Sequence, residues 1–102
     1  MKKATKNQPE PFNDFEIVDG VLLHYHGEDN HVVIPEGVIT IGKDAFNNCI
    51  TIRKVIVTAG VKNIDDGAFE NCKNLQSISI SDSITDIGAY AFCGCNRLLS
   101  IN

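Results

Sequence analysis

Apolar residues recur along this chain of 102 residues at a fixed spacing of 23. Seven sets of positions keep apolar side chains at that spacing: Val32/Val55/Ile78/Ile101, Ile34/Val57/Ile80, Val38/Val61/Ile84, Ile41/Ile64/Ile87, Ala45/Ala68/Ala91, Phe46/Phe69/Phe92 and Cys49/Cys72/Cys95. A unit of this length cannot bury its apolar face alone, so consecutive units stack and share one core. The pattern therefore predicts a solenoid.

The order of apolar and polar positions inside one repeat predicts its local structure. Leu75-x-x-Ile78-x-Ile80 alternates like a strand with one buried face. Turn-forming residues follow at 35–37, 58–60 and 81–83, and a second short apolar stretch comes after each turn. The Phe and Cys of Ala-Phe-x-x-Cys lie three positions apart, so a single α or 3₁₀ turn would point both side chains inward.

The three repeats read IPEGVITIGKDAFNNC, VTAGVKNIDDGAFENC and ISDSITDIGAYAFCGC. In these residues the chain resembles the BspA-like, or Treponema-type, leucine-rich repeats over residues 32–102. The resemblance implies a right-handed stack that is mainly β with short helical turns. The second repeat departs from the family pattern, with Thr58 for Pro and Asp65 for Gly. Because Asp tolerates left-handed backbone, we expect Asp65 to keep the turn.

The residues before the first repeat do not follow the period, and they resemble the β-hairpin cap that opens such domains. Phe15, Ile17, Val21, Leu23 and Tyr25 share one face if residues 18–20 form a three-residue loop, whereas a two-residue loop breaks that pattern. We therefore expect a flexible tail over residues 1–14, the cap over 15–31, and the solenoid over 32–102. The solenoid then holds three 23-residue repeats and the start of a fourth strand.

The C-terminal end of the stack carries no polar closing unit. Leu98 and Ile101 begin a fourth strand, and the chain stops one residue later. Two explanations stay open at this point. Either the chain is part of a longer array, or a second copy covers the end in a homodimer, since an open repeat end favours association.

Charge restricts the classes of partner. The formal net charge is -4, and three of the nine cations lie in the first six residues. An acidic body repels phosphate backbones and anionic lipid, which disfavours nucleic-acid and membrane-surface binding. No apolar run is long enough to span a bilayer. We expect a cytoplasmic protein as the chain stands, or a cell-surface or secreted one if it is a piece of an exported protein.

The cysteine column is expected to pack rather than to react. Cys49, Cys72 and Cys95 share one inward position, and free cysteine is among the most buried residue types. A stack of thiols binding a soft metal is the alternative interpretation. Cys93 lies outside the column, and we expect it to be exposed and the most reactive thiol.

The histidines suggest a second kind of site. His24 and His26 lie two apart on one strand and project to one face. If the loop over residues 27–30 pairs His26 with His31, three imidazoles converge and can hold Zn²⁺, Ni²⁺ or Cu²⁺. The competing interpretation is three solvent-facing histidines on an edge hairpin.

Catalytic signatures are absent from the sequence. Asp65 and Asp66 precede the Ala-Phe segment, where Asp favours a helix N-terminus, so we assign them a capping role. The chain contains no Gly-rich phosphate loop, nucleophile elbow or HExxH motif. We therefore expect neither enzyme activity nor a cofactor.

The remaining positions are those on the strand face that points away from the core, which should be concave. They form three columns: His31/Lys54/Ser77, Val33/Ile56/Ser79 and Thr58/Ser81. Solenoids commonly bind proteins through such faces. The leading hypothesis is a non-catalytic module that binds a protein partner there, with a role in adhesion or host contact, if it is exported, implied by the resemblance. Metal binding by the histidine hairpin and self-assembly through the C-terminal end are the alternatives.

Overall fold

The structure is a computed structural model that describes residues 14–102. Nine strands lie within this range: β1 (Phe15–Val18), β2 (Val21–Tyr25), β3 (His31–Val33), β4 (Thr40–Ile41), β5 (Lys54–Ile56), β6 (Asn63–Ile64), β7 (Ser77–Ser79), β8 (Asp86–Ile87) and β9 (Ser100–Ile101). The tail predicted over residues 1–14 lies, apart from Asp14, outside the described residues.

Two sheets form the walls of the predicted solenoid, which the structure confirms. Sheet I contains β3, β5, β7 and β9 in that order, and sheet II contains β1, β2, β4, β6 and β8. Each 23-residue repeat contributes one strand to each sheet, and neighbouring repeats pair in parallel, as His31 does with Lys54 and Ile41 with Ile64. No helix that could span a membrane occurs in residues 14–102.

The repeated apolar columns fill the space between the sheets. Ile34, Ile41, Val55, Val61 and Ile78 are fully enclosed, as the 23-residue spacing predicts. An aromatic ladder runs beside them along the stack, and its centroid separations are 5.1 Å from Tyr25 to Phe46, 4.8 Å from Phe46 to Phe69 and 5.5 Å from Phe69 to Phe92. The last two steps are stacked within 12° and 2° of parallel, so the ladder carries the repeat geometry from one unit to the next.

The Ala-Phe-x-x-Cys segment consists of tight turns, and the prediction of a single helical turn there is wrong. Residues 14–102 contain no helix. Alternate N–H groups of the segment donate to the carbonyl three residues earlier, as Asn47 does to Asp44 (3.1 Å). The N–H groups of the intervening residues donate to carbonyls of the next repeat, as Phe46 does to Ala68 (2.7 Å). Left-handed Asp44 (φ 59°) and Asn48 (φ 61°) prevent continuous helical bonding.

The cap is a β-hairpin, but its loop has two residues rather than the predicted three. Val18 pairs with Val21, so Asp19 and Gly20 alone make the turn. Both have positive φ, 50° and 80°, which is the geometry of a type I′ hairpin turn. A bulge between Glu16 and Ile17 shifts the register, so that Glu16 pairs with His24 but Ile17 pairs with Leu22.

The buried face of the cap also differs from the prediction. Leu22 is fully buried, whereas Leu23 is exposed. The cause is the parallel pairing of β2 with β4, which sets Leu22 opposite Ile41 and so continues an apolar column of the repeats. Tyr25 likewise occupies the aromatic ladder against Phe46, and the cap therefore imitates one repeat.

We expected left-handed backbone at Asp65, but the left-handed residue of each repeat lies elsewhere. Asp65 has no positive φ, and neither do Gly42 and Gly88 in the same column. Left-handed backbone occurs two residues later, at Gly67 (φ 65°) and Tyr90 (φ 60°), as it does at Asp44. At Gly42 the constraint is close approach instead, since a Cβ there would lie 2.7 Å from the Leu22 carbonyl oxygen.

Candidate functional site

The outer face of sheet I, defined here by His31, Val33, Lys54, Ile56, Ser77 and Ser79, carries the predicted binding columns. His31, Lys54 and Ser77 stand side by side on successive strands, as do Val33, Ile56 and Ser79. The inward residues between them, such as Val32 and Val55, are buried. This alternation is the reason that the face carries side chains that the core does not use.

Val33 and Ile56 form an apolar pair in the middle of that face. They are direct partners on β3 and β5 and are 55% and 38% exposed. Lys54 lies beside them and makes no ion pair within residues 14–102. The resulting surface has an apolar centre and a polar margin of hydroxyl, imidazole and ammonium groups, which is the usual composition of a small protein-binding site.

The third predicted column, Thr58 and Ser81, serves the turns instead. The Thr58 hydroxyl donates to the Ile34 carbonyl oxygen at 3.1 Å, across one repeat. The Ser81 hydroxyl bonds to that of Ser83, which itself donates to the Val61 carbonyl at 2.7 Å. Thr58 and Ser81 are half-buried, and their hydroxyls are engaged in these bonds, so both are less available to a partner.

The structure brings two of the three predicted metal ligands together and separates the third. The ring of His24, on β2, lies 4.5 Å from that of His26, which directly follows β2, and Nε2 of His26 is 3.2 Å from the Glu16 carboxylate. His31 belongs to sheet I, where it pairs with Lys54, so the predicted pairing of His26 with His31 is wrong. Within residues 14–102, no group of three His, Cys, Asp or Glu side chains is placed to hold a metal.

The cysteine column is integrated into the backbone ladder. Cys72 is fully buried, and its thiol donates to the Phe46 carbonyl at 3.1 Å, while Cys95 donates to the Phe69 carbonyl at 3.1 Å. The neighbouring Cys95 thiol, together with burial, raises the pKa of Cys72 above its ordinary value, and the neighbouring Cys72 thiol lowers the pKa of Cys95. Cys93 is exposed, which agrees with the expectation from the sequence.

Asp65 and Asp66 have no helix to cap, and the capping assignment is therefore wrong. Asp65 accepts from the N–H group of Asp66 at 2.8 Å, and Asp66 accepts from that of Ala89 in the next repeat at 2.8 Å. Asp65 also lines an open cleft of about 490 Å³ on sheet II with Thr40, Asn63 and Asp86. No residue spacing pointed to this cleft.

A second open cleft lies beside the cap. It measures about 350 Å³ and is lined by strand β2 on one side and by the first Ala-Phe-x-x-Cys turn on the other, including His24, His26 and Cys49. The Cys49 thiol is 3.7 Å from the Thr51 hydroxyl. Neither cleft coincides with the outer face of sheet I.

The C-terminal end of the stack exposes residues whose equivalents are buried in earlier repeats. Ile41 and Ile64 are 0% and 1% exposed, whereas Ile87 in the same column is 49% exposed. Ile101 is likewise 50% exposed, although Ile78 one repeat earlier is fully buried. Leu98 is half-buried. The predicted open end thus presents the apolar chemistry of the repeat interface to solvent.

Comparison with known proteins agrees with this architecture. A family model described as a BspA type Leucine rich repeat region (6 copies) matches residues 23–102. A leucine rich cell surface protein from Faecalibacterium prausnitzii is 26% identical over 80% of this chain, with a TM-score of 0.73. A leucine-rich repeat protein from Eubacterium ventriosum is 24% identical over 99% of this chain, with a TM-score of 0.76.

The chain covers only 25% and 29% of those two solved chains. The comparison with curated proteins found no match. Leucine-rich repeat proteins of this kind are generally non-catalytic and generally mediate protein–protein interaction. The family match spans most of the chain, and its limits agree with the two-sheet stack described above. The chain therefore belongs to the BspA-type leucine-rich repeat family.

Proposed function

We propose that this chain is a non-catalytic interaction module that binds a protein partner through the outer face of sheet I. The observation that carries the proposal is the exposed pair of Val33 and Ile56. These two side chains point away from the core, on paired strands of sheet I. Apolar residues surrounded by polar groups supply most of the binding free energy in small interfaces.

Two further observations support this proposal. Repeat proteins generally bind their partners through extended concave surfaces. The similarity to a leucine rich cell surface protein supports a role in adhesion or host contact if this chain is exported. Since the chain spans about a quarter of that protein, such a role is proposed for the module and not for a whole protein.

The test uses peptides selected for binding to the wild-type chain from a phage-displayed random peptide library. Their affinity is then measured for Val33→Asp, Ile56→Asp and Ile50→Asp. Ile50 is the matched control, because it is 57% exposed but lies in the segment after the first turn, outside sheets I and II. Circular dichroism confirms that each variant remains folded.

The proposal predicts a loss of at least tenfold in affinity for both sheet I variants and no change for Ile50→Asp. A carboxylate in place of either apolar side chain must be desolvated on binding without a partner. Selected peptides that bind all three variants with wild-type affinity would remove the outer face of sheet I from consideration. Failure to select any binding peptide counts against the proposal as well.

A further inference from the structure

Two rows of side chains cross the strands on the outer face of sheet I, because the same position pairs on successive strands. They are His31/Lys54/Ser77 and Val33/Ile56/Ser79. The first row offers an imidazole, an ammonium group and a hydroxyl, each of which can donate a hydrogen bond, and we call it the donor row. The second row begins with the exposed apolar pair, and we call it the apolar row.

The donor row carries a positive charge in a part of the chain that is otherwise acidic. Residues 14–102 contain twelve Asp and Glu residues against six Lys and Arg residues, yet none of the six residues that define this face is acidic. The carboxylates nearest to β3 along the chain, Asp29 and Glu36, lie in the connections on either side of it. Lys54 is exposed, and within residues 14–102 it forms no ion pair. Its charge is therefore available to a partner.

The distance between the two rows matches the geometry of an extended peptide. Lys54 and Ile56 both project outward from β5 and lie two positions apart, and two positions of a strand span about 6.6 Å. Side chains two positions apart in an extended peptide lie on one face with the same spacing. A peptide lying along β5 can therefore place one side chain on the apolar pair and the next but one at Lys54.

We propose that the outer face of sheet I binds an extended polypeptide segment that carries a large apolar side chain and a carboxylate two positions apart. The apolar side chain contacts Val33 and Ile56, and the carboxylate accepts from Lys54, between His31 and Ser77. This inference names the chemistry of the partner and rests on the proposed function of the same face. Charge complementarity carries it, since an ammonium group without an ion pair in the described chain lies beside the apolar pair.

A long polyanion is a poorer match for this face. It would extend past the donor row onto the acidic remainder of residues 14–102, which repels it. A polyanion also has no side chain to bury against Val33 and Ile56. A short acidic segment with an apolar anchor uses both rows and avoids the acidic surfaces.

The test uses those peptides from the phage-displayed library that lose affinity for Ile56→Asp. Surface plasmon resonance measures their binding to Lys54→Glu and to Lys54→Gln, which keeps the side-chain length without the charge. Lys62→Glu is the matched control, because Lys62 is also exposed and without an ion pair in the described chain but directly precedes β6 of sheet II. Each peptide is also made with its acidic residue replaced by the corresponding amide.

The selected sequences should share an acidic residue two positions from a large apolar one. Lys54→Glu should weaken their binding about tenfold, mainly through slower association and less strongly at high salt. Lys54→Gln should weaken it about threefold, and Lys62→Glu should leave it unchanged. The amide peptides should bind wild type and Lys54→Gln equally, which would assign the peptide carboxylate to Lys54.

Failure of this inference can be distinguished from failure of the proposed function. Peptides that lose affinity for Ile56→Asp but bind Lys54→Glu like wild type, or that lack an acidic residue at this spacing, overturn the inference and leave the proposed function standing. Equal losses in Lys54→Glu and Lys62→Glu do the same, because they reflect net charge alone. Peptides that are indifferent to both Val33→Asp and Ile56→Asp overturn the two together.

Two further measurements address the other occupants. Heparin binding that requires Lys54 but not Ile56 would identify a polyanion as the ligand of this face. Dimerisation of the wild-type chain in sedimentation that is abolished by Lys54→Glu would identify a second copy. Either result would overturn the inference.

Discussion

The two ends of this stack carry the same repeat chemistry and differ in what covers it. At the N-terminal end, Tyr25 stacks on Phe46 and donates its backbone N–H group to Ala45, and Leu22 continues the column of Ile41. At the C-terminal end, Phe92 and Ile87 occupy the same columns with nothing beyond them in the described chain. Burial of a repeat position is therefore decided by its neighbour in the stack and not by its residue type.

The largest effect on stability is expected from a substitution at the centre of the aromatic ladder. Phe69 is fully buried between two other rings, so Phe69→Ala should cost about 3–5 kcal/mol of unfolding free energy through lost packing and a cavity. Phe92→Ala should cost roughly half as much, because one side of its ring is open. Urea denaturation measures both. Equal losses would show that the C-terminal end is as well covered as the centre.

The next effect concerns the capped end. The Tyr25 hydroxyl accepts the Asp29 N–H group at 3.1 Å, so Tyr25→Phe should cost about 1 kcal/mol at neutral pH. Burial also raises the pKa of Tyr25 above its ordinary 10.0.

That raised pKa predicts a pH dependence with a definite sign. Below pH 10.0 the phenol is protonated in both states, and its contribution to stability is fully present. As the pH rises from 10.0 through the folded-state pKa, the unfolded chain loses the phenolic proton first and stability falls. Chemical denaturation at pH 8 and at about pH 11 measures the unfolding free energy at each pH. Its decrease between the two should be larger for wild type than for Tyr25→Phe. Identical decreases in unfolding free energy for wild type and Tyr25→Phe would show that the Tyr25 hydroxyl is solvated in the folded chain.

The smallest effect concerns strain at the open end. Tyr90 holds φ at 60°, where the equivalent second-repeat residue is Gly67, and left-handed backbone costs an L-residue about 1–2 kcal/mol. Tyr90 is 71% exposed, so removing its ring loses little packing. Tyr90→Gly should therefore raise the unfolding free energy by about 1 kcal/mol. Tyr90→Ala keeps the strained backbone and serves as the control; a thermal midpoint raised equally in both would refute this account.

The parts of the fold that follow the period could be predicted from sequence. The register of Lys54 opposite His31 and Ser77, and of Ile56 opposite Val33 and Ser79, follows from the 23-residue spacing alone. A solenoid pairs equivalent positions of successive repeats, so the spacing fixes both sheets and the columns on the outer face of sheet I.

The parts that fall outside the period could not be predicted in the same way. Alternation along β2 favoured Leu23 as a buried residue, but parallel pairing with β4 placed Leu22 in the core. His31 was expected beside His26, yet it opens sheet I because the chain crosses from one sheet to the other between them. The pairing of strands that are distant in sequence decided both outcomes. A segment outside the 23-residue period carries little information about such pairing.

Hydrogen exchange of the wild-type chain tests the central claim most directly, that the stack formed by residues 14–102 is covered at its N-terminal end and not at its C-terminal end. The amides to compare are those of Phe46, Phe69 and Phe92, which occupy one position in three successive turns. The account predicts that Phe46 and Phe69 exchange only through global unfolding, and that Phe92 exchanges at least a hundredfold faster because its N–H group has no acceptor among residues 14–102. Equal protection of all three amides in the monomeric chain would contradict it.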